Sequence, residues 1–125
     1  MKRILGAVVL ACLSASPLSA HHSYASFDRE HPVTIEGTIG RVVFANPHVV
    51  LAVQTADKLY NVEWGNLGQM NHWAVTKDTL NVGDHVRVTG SKTFDPADNR
   101  FSIVLKVERV SDGRSWGRQA TPVVP

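Results

Sequence analysis

Between Val33 and Phe44 the apolar residues change faces. Val33, Ile35 and Ile39 alternate with Thr34, Glu36 and Thr38, which is the two-residue period of a half-buried strand. Beyond Gly40 the apolar positions are Val42 and Phe44, so the parity reverses. A glycine at such a reversal predicts a β-bulge that bends one long strand. Asn46-Pro47 then breaks it.

Four further strands follow from the same alternation. His48 to Gln54 carries Val49, Leu51 and Val53 on one face, and Leu59 to Trp64 carries Tyr60, Val62 and Trp64. Asn66 to Ala74 reads as a short helix capped by Asn66, with Met70 and Trp73 turned to the core. After the Asn81-Val82-Gly83-Asp84 turn, His85 to Thr93 places Val86 and Val88 inward and His85 and Arg87 outward. Asp95 to Asn99 connects to a fifth strand, Arg100 to Val110, with Phe101, Ile103, Leu105 and Val107 expected to face the core. Five strands, the first long and bent, with a short helix between strands 3 and 4, describe a mainly β, OB-type barrel. Closure leaves few unpaired edges; an open β-sandwich is the alternative.

The segment before the barrel addresses compartment. Lys2 and Arg3, an apolar run from Ile4 to Leu13, and the small residues Leu18-Ser19-Ala20 follow the order of a secretory signal peptide cut after Ala20. The expected layout is a signal helix over 1–20, an N-terminal arm over 21–32 pinned by Tyr24 and Phe27, the barrel over 33–110, and a flexible tail over 111–125. Such a product is periplasmic or secreted, with no integral membrane segment once the signal is removed. Val9-Leu10-Ala11-Cys12 offers a rival reading, a lipoprotein anchored at Cys12. Either cut removes Lys2 and Arg3, taking 13 basic side chains to 11 against 11 acidic ones. A neutral exported domain has no electrostatic case for nucleic acid.

Chemistry-bearing motifs are sparse. No glycine-rich phosphate loop, nucleophile elbow or paired-cysteine knuckle occurs, and no two carboxylates are spaced as an acid/base couple. No catalytic residue is assigned on this basis, and an enzyme is the weaker starting assumption. The six histidines are the notable inventory. Cleavage after Ala20 would leave His21 with a free α-amine, whose reference pKa is about 7.7–8.0. That amine, the His21 ring and one further imidazole make a nitrogen-rich set suited to Cu(II). His48, stiffened by Pro47, is the expected third ligand, and His22, His72 and His85 are substitutes. The metal set is therefore His21, His22 and His48. The competing expectation is a metal-free module for a small ligand, peptide, glycan or partner protein, with Asn46, Trp64, His72, Trp73 and His85 as possible ligand-binding residues. Arg87, Lys92, Arg100 and Lys106 form at most a solvated basic stripe.

With His21-His22-Ser23, Asn46-Pro47-His48 and the run from Trp73 to Asp84 in view, the chain resembles a family of small exported bacterial proteins known as domain of unknown function 6152. Its members are similar in an HHS start, an NPH turn and a W-T-K-x-x-L-x-x-G-D segment. Here Ala74-Val75 separates Trp73 from Thr76, where the family pattern sets Trp beside Thr. The resemblance implies an exported OB-like domain, carries no established activity, and marks His21, His22, Asn46, Pro47 and His48. A more distant likeness to periplasmic OB-fold proteins of stress tolerance implies small-ligand or cation binding.

Overall fold

A computed structural model of the chain describes residues 24–122. The expected signal segment, His21 and His22 lie outside the described residues. Strand β1, Val33–Val43, is the long bent strand. Its first half pairs antiparallel with β4, His85–Lys92, and its second half with β2, Val50–Gln54. The register slips between Ile39 and Arg41, so Gly40 is the bulge that the parity reversal predicts. Strand β3, Leu59–Glu63, pairs with β2, and β5, Arg100–Arg109, pairs with β4. A parallel contact of β3 with β5, Asn61 to Arg100 and Val62 to Phe101, closes the ring. The result is a closed five-stranded mixed barrel, with a short helix α1, Leu67–His72, between β3 and β4.

The barrel core is one cluster that includes Ile39, Leu51, Val53, Val62, Val86, Val88 and Phe101. These are the alternate residues of the first four strands and the head of the fifth, as the period-two pattern requires. Strand β5 departs from expectation. Phe101, Val104 and Val107 are buried, whereas Ile103 and Leu105 are only partly covered. Opposite Gly90 the pairing jumps from Thr89–Lys106 to Ser91–Ser102, and Ile103 there takes a left-handed φ of 50°. The irregularity gives β5 two extra residues, so Phe101 and Val107 keep the inward face while Val104 turns inward between them. A Cβ on Gly90 would press the Phe101 ring and the Ser102 carbonyl, so the strand can kink inward only across a glycine.

Helix α1 is closed at both ends by its own sequence. Asn66 Oδ1 accepts from the Gln69 amide, and Gln69 Oε1 accepts from the Asn66 amide, a capping box. At the other end Ala74 is left-handed at φ 56°. Its amide donates to Asn71 O, and the Val75 amide donates to Met70 O. This is a Schellman stop, with buried Val75 and Met70 supplying its apolar contact. Ala74-Val75, the pair that parts Trp73 from Thr76, is thus the turn that ends the helix.

The two flanking segments are tied to the barrel. Phe27 is buried and bridges to Thr93, while Asp28 N–H donates to Lys92 O. Tyr24 was expected to pin the arm with it, but its side chain stays largely exposed. The tail also departs from the expected fraying. Ser115–Trp116 forms β6 against β5, Trp116 is buried, and the Gln119 amide donates to Leu105 O. An indole of that size burying against β5 outweighs the entropy of a loose end. Among the described residues no helix is long and apolar enough to cross a membrane.

Candidate functional site

Two of the residues singled out as possible ligand contacts come together where β3 hands over to α1. Trp64 follows β3 directly, its amide bonded to Val49 O, and Trp73 is the residue that caps α1. Their rings stack with centroids 6.1 Å apart and planes 19° apart. Trp64 is buried; Trp73, expected in the core with it, is only half-buried, because the Schellman stop turns the chain outward just after it.

The pair forms one wall of a cleft of about 280 Å³. Gly65 and Gln69 continue that wall, and Ser102, Ile103 and Val104 of the kinked β5 face it. Tyr24 and Arg29 from the arm, with Arg118 from the tail, complete the rim. This volume lies at the lower edge of ordinary small-molecule sites, roughly 300–1,000 Å³. No Asp or Glu lines it among the described residues.

Two features mark the cleft as more than a packing seam. Trp64 Nε1 is buried and has no acceptor among the described residues, and a buried donor left unmade costs on the order of 1–3 kcal/mol. Among the described residues the non-glycine positions at positive φ are Ile103, in the cleft lining, and Ala74, the helix stop after Trp73. A β-branched residue in that conformation costs about 1–2 kcal/mol, and such strain concentrates at binding sites.

The remaining candidates are dispersed. The His48 turn is braced on both sides: Asn46 Oδ1 accepts from the Leu67 amide, and Val49 N–H donates to Gly65 O. The Asn46–Pro47 peptide is cis, and the His48 side chain is half-exposed. His72 is exposed on α1. His85 lies on the opposite strand pair, its Nε2 2.9 Å from Glu36 Oε1 and its Nδ1 3.4 Å from Thr38 Oγ1. Arg87 joins the same cluster, bonded to Glu36 at 2.8 Å and Glu108 at 3.0 Å. Arg87 first, then His85, holds the Glu36 carboxyl below the usual carboxylate range. The expected basic stripe is thus neutralised at Arg87, and at Arg100 by Asp98. Among the described residues no three His, Cys, Asp or Glu side chains converge as a metal cluster.

A second hollow lies where Lys58 and Lys92 flank the Tyr60 ring at 4.9 and 5.5 Å. Lys58 Nζ is already spent on the carbonyls of Pro96 and Asp98. Sequence reasoning missed Tyr24, Arg29, Arg118 and the β5 residues of the first cleft. They are brought in by tertiary pairing from both ends of the chain, and no local spacing signals them.

The sequence matches a family described as a family of unknown function (DUF6152) over residues 8–99, which takes in β1 to β4, α1 and the His48 turn. No curated protein and no solved structure matches the chain.

Proposed function

The chain belongs to the DUF6152 family, whose function is unknown, and from that premise we propose that it is a small binding protein that holds a ligand in the Trp64–Trp73 cleft without a metal. The observation that carries this reading is a cleft of about 280 Å³ walled by stacked indoles, one of them only half-buried, beside backbone held in strained geometry. The strained backbone costs stability, and a ligand that covers indole surface offsets that cost. The test is a fragment screen by nuclear magnetic resonance in the presence of a chelator, using one- and two-ring aromatic acids, amides and amines together with monosaccharides. Binders should shift the indole N–H signals of Trp64 and Trp73 and the amides of Gly65 and Ser102 to Val104. A screen with no binder, or with shifts confined to other faces, rejects the reading.

A second reading is a copper-binding exported protein, supported by the braced, half-exposed His48 turn. In it the His21 amine and ring, with His22 as substitute, join His48 on Cu(II) after export and cleavage behind Ala20. Intact mass and metal content of protein recovered from the periplasm test the cleavage and the ion together. His48→Ala should weaken Cu(II) binding more than about tenfold, and one residue added before His21 should do the same. Unchanged copper affinity in both variants rejects this reading.

A further inference from the structure

Three arginines elsewhere on the barrel are committed to carboxylates, while Arg41 and Arg114 make no ion pair among the described residues. Arg87 is paired with Glu36 and Glu108, Arg100 with Asp98, and Arg109 with Asp84 and Asp112. Arg29 and Arg118 differ from those three in lining the cleft without such a partner. Among the described residues neither Arg29 nor Arg118 makes an ion pair, and residues 1–23 and 123–125 carry no Asp or Glu side chain that might supply one.

Both guanidinium groups are nevertheless carried on anchored backbone. Arg29 follows Asp28, whose amide is bonded to Lys92 O, and Phe27, which is buried against β4. Arg118 lies between Gly117 and Gln119. The Gln119 amide is bonded to Leu105 O, and Gly117, at φ 120°, sits so close to the same carbonyl that a Cβ there would fall 2.7 Å from it. Two segments from opposite ends of the chain are thus fastened so that one cation from each reaches the same aromatic hollow. Both side chains are exposed, and an anion held between two cations is attracted to both.

Resting on the ligand-binding reading above, we infer that the cleft is built for a planar aromatic carboxylate of one or two rings. The indole wall takes the ring system, and Arg29 and Arg118 take the carboxylate. A flat carboxylate matches the fork of a guanidinium, which explains arginine rather than lysine at both rim positions. A cleft of about 280 Å³ suits one or two rings, since a cavity of roughly 150 Å³ already accepts benzene.

The test compares 2-naphthoate with its neutral isostere 2-naphthamide and with 2-naphthyl phosphate. Affinities are read from the Trp64 and Trp73 indole signals of the purified protein. Naphthoate should bind at least about tenfold more tightly than naphthamide. In the double variant Arg29→Gln, Arg118→Gln that ratio should fall to about one, with naphthamide affinity unchanged. Both positions are on the surface rim, and an unaltered amide spectrum checks that the variant folds. Equal affinity for naphthoate and naphthamide, an undiminished ratio in the double variant, or preference for the phosphate overturns the carboxylate assignment while leaving the cleft as a binding site. If none of the three compounds moves the indole signals, the assignment and the ligand-binding reading fall together.

Discussion

Trp64 and Trp73 lie face to face, 6.1 Å between centroids, one at the end of a barrel strand and the other at the end of the helix that follows it. The two are not equivalent. Trp64 is in the core cluster, whereas Trp73 packs against that cluster from outside and leaves part of its ring to the cleft. Trp64→Ala should therefore cost about 3–5 kcal/mol of stability in urea unfolding, the range for a buried Trp. Trp73→Ala should cost clearly less and remove ligand binding. Equal losses of stability would mean that Trp73 is simply core.

The stop of α1 predicts a stabilising change. Ala74 is exposed and left-handed, so its side chain is strained and contributes no buried area. Ala74→Gly should raise stability by about 1 kcal/mol, read as a higher urea midpoint at unchanged slope. A lowered midpoint would show that the turn is not left-handed at this residue.

Two glycines of β1 separate bulge from close approach. A Cβ on Gly37 would overlap the backbone carbonyl of Gln54, whereas one on Gly40 has nothing nearer than 4.0 Å. Gly37→Ala should cost on the order of 3 kcal/mol or prevent folding, and Gly40→Ala should stay within about 1 kcal/mol. Thermal unfolding of the two variants side by side decides it; the opposite order would contradict the register of β1 with β2.

Acid should weaken the outer face of the β1–β4 pair. Bonding to Arg87, then to His85, lowers the Glu36 pKa in the folded protein. Its stabilising contribution is therefore present above the unfolded carboxylate value and lost as pH falls through the folded one. Glu36→Gln should lower Tm at neutral pH, with the gap to the parent protein closing on the acid side of the carboxylate range. A gap that persists undiminished into strong acid would show that the ionised carboxylate is not what stabilises the pair.

Much of the barrel can be read from the chain because alternation and punctuation agree. The glycine at the β1 parity reversal is the bulge, and Asn66 caps α1 as its position before the helix predicts. Strand β5 misleads because Phe101, Ile103, Leu105 and Val107 alternate without a break. Val104 is apolar as well, so no polar residue announces the two-residue irregularity at which Val104 turns inward in place of Ile103 and Leu105. The tail misleads because two residues of pairing and one Trp hold it, too short a signal to register as a strand. At the site, the two indoles are visible from their flanking strand and helix. The arginines opposite them are not, since their meeting depends on how residues 24–29 and 115–119 dock, which only closure of the barrel determines.

On the proposed function, the Trp64–Trp73 cleft is where the ligand sits. Intermolecular nuclear Overhauser effects from bound 2-naphthoate test it most directly. They should run from the naphthyl ring to Trp73 and Ile103, with none to Tyr60 or Phe94 in the second hollow. Contacts to Tyr60 and Phe94 instead, with Trp73 silent, would contradict it.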